Sequence, residues 1–463
     1  MNSIKFYIDQ HGCAKNQTDG EILISHLTKA GFVHTLNAEE ADYILVNSCG
    51  FINSAKKESI DAVYSAKKSC PKAKIILTGC LAERYAQTLF ESMPELSGVF
   101  GNGDLGKIVE FINQVEKEKR AVKTYEQKGV CSASRSVFYN YKATAFVKIT
   151  EGCSNNCTFC AIPLIRGKVR SRSIKDVVSE IKDLLSQGIY EINLIGQDLA
   201  VFEEGLPALF KEISKLQGDF IVRPLYIHPD HFTKEIALAI KEDSRFLPYF
   251  DIPFQSGDDE IIHKMNRKGS FEKYVELVKE IRSILPSAVL RTTFLTGFPG
   301  ESEQAALNTQ KFLQEIRPVW SGCFPYSREE NTPAYSLKPQ VPKKLAEKRA
   351  AALEEIQSKI TEESLKKYIG QEVPVLIEEI IESEGDDPSA EGLALGRAWF
   401  QAPEVDGCVV VRYDLDFQNE VNSVKCGNVV NVKILNVTGV DLDSRFVSLR
   451  KEFTANPKVN FIN

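Results

Sequence analysis

From residue 4 onward, short apolar runs alternate with amphipathic stretches of helical length, and no other feature constrains the fold as much. The runs Ile4–Ile8, Tyr43–Asn47 and Lys74–Thr78 alternate with helix-like stretches at Asp19–Ala30 and Ser54–Lys68. Strand following helix following strand implies a parallel sheet. Between Gln114 and Arg135 the periodicity fades into a charged stretch, Glu116-Lys117-Glu118-Lys119-Arg120, which reads as a helix end running into an interdomain linker. The alternation resumes at Ala145–Ile149, Ile192–Ile195, Ile221–Ile227, Tyr249–Pro253, Val289–Leu295 and Gly322–Pro325, a set that implies a partial α/β barrel of six strands. Lys343–Lys367 reads as a long polar helix, and Val373–Ile377, Gly407–Tyr413 and Val429–Ile434 as strands of a small β domain. The expected division is an N-terminal parallel α/β domain over 1–120, a linker over 121–138, a partial (β/α)6 barrel over 139–369 and a small β-barrel over 370–453.

A chain of 463 residues, 43% hydrophobic and 26% charged, has the profile of a folded soluble protein. No segment approaches 18 consecutive apolar residues, and Met1 leads straight into a strand-like stretch rather than a secretion signal, so the expected location is cytoplasmic, with no membrane contact. In that reducing setting, 11 cysteines point to metal binding rather than disulfides.

The densest cysteine set is Cys153-Ser-Asn-Asn-Cys157-Thr-Phe-Cys160, in the turn after the first barrel strand. Three thiolates within eight residues can hold three corners of a [4Fe-4S] cluster and leave one iron open to chelate the amino and carboxylate groups of S-adenosylmethionine. A structural zinc site is the alternative, but zinc takes four ligands and no fourth is evident nearby. The C-x3-C-x2-C spacing, with an aromatic before the last cysteine, resembles the radical S-adenosylmethionine superfamily, whose partial barrel matches the six strands.

Cys13, Cys49 and Cys80 are separated by 36 and 31 residues, each gap about one strand-helix unit, and each follows one of the first three strands read above. In a parallel sheet the carboxyl ends of the strands lie along one edge, so three such loops can converge and hold a second cluster. Taken singly, each could be a small buried residue. Cys70, Cys131, Cys323, Cys408 and Cys426 share no such placement and read as packing or surface thiols.

Weaker candidates for binding S-adenosylmethionine lie at the barrel strand ends. In Leu194-Ile-Gly-Gln-Asp198, Gly196 permits close backbone approach and Gln197 offers an amide; by resemblance this position helps hold the cofactor. Arg223, Gln255 and Thr293 lie on or just after later strands, where they could contact the cofactor or satisfy local polar groups. Thr296-Gly-Phe-Pro-Gly-Glu301 reads as a tight turn, with Glu301 in the first turn of the next helix.

With two cysteine sets, a partial barrel and a C-terminal β domain of the TRAM kind, the chain resembles the methylthiotransferases end to end. One branch modifies an adenosine in transfer RNA, the other an aspartate β-carbon of a small-subunit ribosomal protein near the decoding centre. Asn47-Ser-Cys-Gly-Phe-Ile52, Ala55-Lys-Lys-Glu-Ser-Ile60, Cys160-Ala-Ile-Pro163 with Arg166-Gly167, and Gln401-Ala-Pro-Glu-Val-Asp-Gly407 look like the second, RimO-type branch, although Ser48 stands where threonine is common. The resemblance implies two [4Fe-4S] clusters, S-adenosylmethionine, an electron donor, and a ribosomal protein or ribosome as partner. It further implies that the Cys153 set makes a radical that takes substrate hydrogen, while the Cys13 set carries the sulfur that is methylated and transferred. Charge favours the same branch: residues 371–453 contain 7 Lys plus Arg against 16 Asp plus Glu, a balance of -9, which suits a basic protein better than RNA. An ordinary solvated acidic face is the plain alternative. The tRNA enzyme and a non-catalytic iron-sulfur assembly factor are the competing functions.

Overall fold

The computed structural model describes residues 3–381, 391–454 and 459–462. Glu382, Glu384, Asp386 and Asp387, four of the acidic residues counted above, lie outside them.

The N-terminal sheet is parallel throughout and comprises β1 (Lys5–Gln10), β2 (Val33–His34), β3 (Tyr43–Ser48), β4 (Lys74–Gly79), β5 (Leu96–Phe100) and β6 (Ala121–Lys123), in the order 2-1-3-4-5-6. Every residue of β3 is buried, as helices on both faces of a parallel sheet require. β2 is too short to leave a periodic trace. β6 lies in the stretch read as linker, so the chain adds one more edge strand beside β5 before leaving the sheet.

Helix α1 (Ala14–Lys29), with Cys13 as its N-cap, begins five residues before the Asp19 expected from periodicity. Its opening turns carry Asn16, Gln17, Thr18, Asp19 and Glu21, all buried, because this helix packs against the barrel strand Thr144–Lys148 as well as its own sheet. Polar partners across that contact replace the apolar stripe that marks most helices. Helices α2 (Asn53–Ser69) and α3 (Cys80–Ser92) follow β3 and β4.

The second unit contains β7 (Thr144–Lys148), β8 (Glu191–Ile195), β9 (Ile221–Pro224), β10 (Tyr249–Asp251), β11 (Val289–Thr296) and β12 (Trp320–Pro325). They form two three-stranded parallel sheets, β7-β8-β9 and β10-β11-β12, linked by a bridge between Val222 and Phe246 and by the Ile227 N–H donating to the Asp251 carbonyl at 2.9 Å. This open arc is the partial barrel expected. Helix α4 (Lys343–Lys366) packs against β11 and β12.

The C-terminal unit is a closed barrel of β13 (Glu372–Ile381), β14 (Gly392–Ala398), β15 (Val409–Tyr413), β16 (Val429–Thr438) and β17 (Asp441–Lys451). β14 and β17 escaped the sequence reading. β14 buries small residues such as Ala394 and Ala398, while β17 places Leu442, Ser444 and Phe446 inward between polar residues. Phe400 is core, its ring stacked on Tyr368 at 4.0 Å, and the Trp320 indole N–H donates to the Phe400 carbonyl. Near the C-terminus, Asn460–Phe461 pairs with Val137–Phe138, between the first two units. Among the described residues no helix is long and apolar enough to cross a membrane.

Candidate active site between two cysteine sets

Cys13, Cys49 and Cys80 follow β1, β3 and β4, neighbouring strands at the centre of the sheet, so their loops emerge side by side. Asn16 ties the three together. Its amide nitrogen donates to the carbonyls of His11, Asn47 and Ser48 at 2.8, 3.1 and 3.1 Å, and its oxygen lies 3.8 Å from the Cys80 thiol. Gly50 completes the convergence, since a Cβ there would come within 2.7 Å of the Leu81 nitrogen and 2.8 Å of the Cys80 carbonyl. Burial pushes the Cys80 thiol up to about 12 and raises Cys49 as well. Cys13 differs. Crowding opposes its thiolate, but Lys15 and Arg166 outweigh that and lower its pKa, and its side chain remains accessible.

Cys153, Cys157 and Cys160 sit in the loop after β7 and the short strand Thr150–Glu151. The loop is pinned at several points: the Cys153 N–H donates to the Gly167 carbonyl at 3.0 Å, Thr158 Oγ1 donates to the Lys264 carbonyl at 2.8 Å, and Asn155 Nδ2 donates to Asp198 Oδ2 at 3.0 Å. Burial, with a smaller push from the neighbouring Cys157, raises Cys153 to about 11 and Cys160 to about 12. His228 Nε2 lies 3.8 Å from the Cys157 thiol, and burial, then Arg267, press its pKa down to about 3. A cavity of about 630 Å³ opens beside this loop, bordered by Asn155, Asn156, His228, His231 and Arg267.

The two sets meet across one interface. Cys80 packs against Ala161 and Ile165, from the segment that directly follows Cys160. Arg166, on the same segment, donates to Cys80 Sγ at 3.3 Å and pairs with Asp19 of α1 at 2.9 Å and with Glu151 at 2.8 Å. Lys148 pairs with the same two carboxylates, giving a buried group of two cations and two anions. Burial alone would neutralise Glu151; Arg166 and Lys148 keep its carboxyl well below the ordinary range instead.

The barrel candidates separate. Gly196 packs so closely that a Cβ would overlap Thr150 Oγ1. Gln197 Nε2 donates weakly to Glu151 at 3.4 Å, and its oxygen is buried without a partner. Gln255 follows β10 in a left-handed conformation (φ 71°), its N–H donating to the Thr293 carbonyl at 2.8 Å, so these two stand together. Arg223 bonds Glu191 at 3.1 Å and the Trp399 carbonyl at 2.8 Å and covers the Tyr249 ring, tying the barrel to the C-terminal domain, while its Nη2 is buried without a partner. Glu301 precedes the Ser302 N-cap rather than entering the next helix, and accepts from the Gly297 N–H and from Arg349.

Sequence reasoning did not assign roles to Arg166, Asp198, His228 or Lys15. Asp198 accepts from His231 at 2.6 Å as well as from Asn155. Each of the four lies within a few residues of a cysteine or a strand end, and that position was the available signal.

The donor set fits iron-sulfur clusters. Each group supplies three thiols, the number that holds a [4Fe-4S] cluster and leaves one iron open.

Residues 5–101 match Uncharacterized protein family UPF0004, 147–313 the Radical SAM superfamily and 369–447 the TRAM domain. The protein named ribosomal protein uS12 methylthiotransferase RimO from Treponema denticola is 47% identical, covering 94% of this chain and 99% of its own. Those of the same name from Aquifex aeolicus and Carboxydothermus hydrogenoformans are 38% and 35% identical over 94% and 96% of this chain, and 95% and 100% of their own. Among solved structures, the radical S-adenosylmethionine methyltransferase TsrM from Kitasatospora setae shares the fold, with a TM-score of 0.54 at 14% identity over 70% of this chain and 73% of that one. The three-part architecture and near full-length identity establish that this chain belongs to the RimO family of methylthiotransferases, within the radical SAM superfamily.

Proposed function

We propose that this protein transfers a methylthio group to the β-carbon of an aspartate in ribosomal protein uS12. The observation that carries the reading is the meeting of two three-cysteine sets across a single interface, with Ala161 and Ile165 of one loop packed on Cys80 of the other. Cys153, Cys157 and Cys160 would hold the [4Fe-4S] cluster that receives S-adenosylmethionine, and Cys13, Cys49 and Cys80 a second cluster. When bound, these groups supply reductive cleavage of S-adenosylmethionine at the first site and the methylatable sulfur at the second.

The chain's own residues fix the relation between the two sites. The charge-balanced group of Asp19, Lys148, Glu151 and Arg166 locks α1 to the first barrel loop with buried ion pairs, which are directional and tolerate little displacement. Gln197, with an unpartnered buried oxygen, and Gly196, at a point of close approach, form the wall proposed to receive S-adenosylmethionine. Gln255 and Thr293, bonded to each other at later strand ends, and Arg223, whose Nη2 is buried without a partner, are further candidates for contacting it. The reading needs a one-electron donor and places the protein in the cytoplasm with the ribosome.

The test is anaerobic reconstitution with iron and sulfide, addition of S-adenosylmethionine and reductant, and mass spectrometry of uS12 and of digested transfer RNA. Replacement of hydrogen by a methylthio group on an aspartate-containing uS12 peptide is the expected result. The same modification on an adenosine would overturn the substrate, and absence of S-adenosylmethionine cleavage would overturn the chemistry.

A further inference from the structure

Lys15 stands two residues beyond Cys13 in the first turn of α1, and its ammonium lies 3.4 Å from the centroid of the Tyr226 ring. Tyr226 belongs to the barrel, just past β9, and is held in a left-handed conformation (φ 68°) that no glycine relieves. The contact therefore joins two domains. Lys15 and Tyr226 are both half-buried, and the neighbouring Cys13 is accessible, so the ammonium borders open space at the second cysteine set.

Cations nearby are matched. Arg166 has Asp19 and Glu151, and Arg291 has Asp251 at 3.5 Å and Asp406 at 3.3 Å. Lys15, among the described residues, has neither an ion pair nor a hydrogen bond; the ring face holds it in position without neutralising it. The anionic groups around it, Cys13, Asp251 and Glu151, act on this ammonium without pairing with it directly, so a half-desolvated cation here still gains from a carboxylate that makes contact.

We infer that Lys15 receives the side-chain carboxylate of the target residue and that Tyr226 positions the ammonium for it. The inference rests on the proposed function and deepens it. In aspartate the β-carbon is bonded directly to the carboxylate carbon, so the group that holds the carboxylate fixes the reacting carbon. A cation two residues from Cys13 and seated on a barrel residue holds that carbon at the seam where the two halves of the chemistry meet. It also makes the site selective, because an uncharged side chain or a base would leave the ammonium unpaired.

The experiment uses the holoenzyme with both clusters reconstituted, wild type, Lys15→Met and Lys15→Arg, on uS12 carrying the target aspartate or asparagine in its place. Iron content, deoxyadenosine and methylthiolated product are measured together. Wild type should prefer aspartate over asparagine in kcat/KM by at least about 30-fold, the scale of losing one partner of a desolvated charge pair. Lys15→Met should lose a comparable factor on aspartate and narrow the preference to a few-fold, with iron and deoxyadenosine retained, while Lys15→Arg restores part of it. A Lys15→Met enzyme that keeps both clusters and the full preference overturns the inference. Should that variant lose iron, the wild-type comparison decides, since equal turnover of the two substrates would equally overturn it. Absence of any product on uS12 from the wild type would instead contradict the proposed function.

Discussion

Arg166 Nη2 donates to the Cys80 thiol at 3.3 Å across the boundary between the barrel and the N-terminal domain. The same guanidinium forms ion pairs with Asp19 and Glu151, so one side chain, six residues after Cys160, holds both cysteine loops and α1 in a single arrangement. Arginine suits this position because its planar fork reaches several acceptors at once, which a lysine ammonium cannot do with fixed geometry.

Replacing Arg166 by Met leaves two buried carboxylates sharing Lys148 alone. Stability measured by chemical denaturation should fall by about 3–5 kcal/mol, the usual loss when one partner of a buried ion pair is removed. Arg166→Lys should recover part of it.

Glu191 anchors the C-terminal barrel, bonding Arg397 at 2.8 Å and Arg223 at 3.1 Å. Burial raises its pKa, but Arg397 and Arg223 outweigh burial and hold it below the ordinary value of 4.5. Below pH 4.5 the unfolded chain therefore takes up more protons at this site than the folded one. The stability it contributes is complete above that pH and drains away as pH falls through the folded value. Glu191→Gln should cost about 3–5 kcal/mol at neutral pH, and it should flatten the loss of stability below pH 4.5, both read from denaturation curves at pH 7 and pH 4.

A methyl group at Gly196 would overlap Thr150 Oγ1 in a buried wall. Gly196→Ala should destabilise by about 1–3 kcal/mol, the range for overpacking, and should weaken S-adenosylmethionine binding in equilibrium dialysis. Adding Thr150→Ala removes the obstructing hydroxyl, so the double variant should be more stable than Gly196→Ala alone.

The parallel architecture was legible because apolar strands such as Tyr43–Ser48 and Glu191–Ile195 are buried along their length and leave dense apolar runs. The C-x3-C-x2-C loop was legible because its residues are adjacent in the chain. Residues whose partners come from another domain carried no such mark. Asp19 and Glu21 read as ordinary polar helix positions until Lys148, Arg166 and Arg135 are seen to meet them. Arg223 sits on a barrel strand, where ligands are expected, and its bonds to Glu191 and the Trp399 carbonyl, which leave Nη2 buried without a partner, also carried no mark in the sequence. Ala121–Lys123 is a short edge strand in a charged context, and edges tolerate polar sequence that interior strands do not.

The most direct measurement compares Cys49→Ala with Cys157→Ala after anaerobic reconstitution, scoring deoxyadenosine and methylthiolated uS12 in the same reaction. Separate roles for the two sets predict that Cys157→Ala makes neither, while Cys49→Ala still makes deoxyadenosine and yields no methylthiolated protein. Methylthiolated uS12 from Cys49→Ala, or deoxyadenosine at the wild-type rate from Cys157→Ala, would contradict the account.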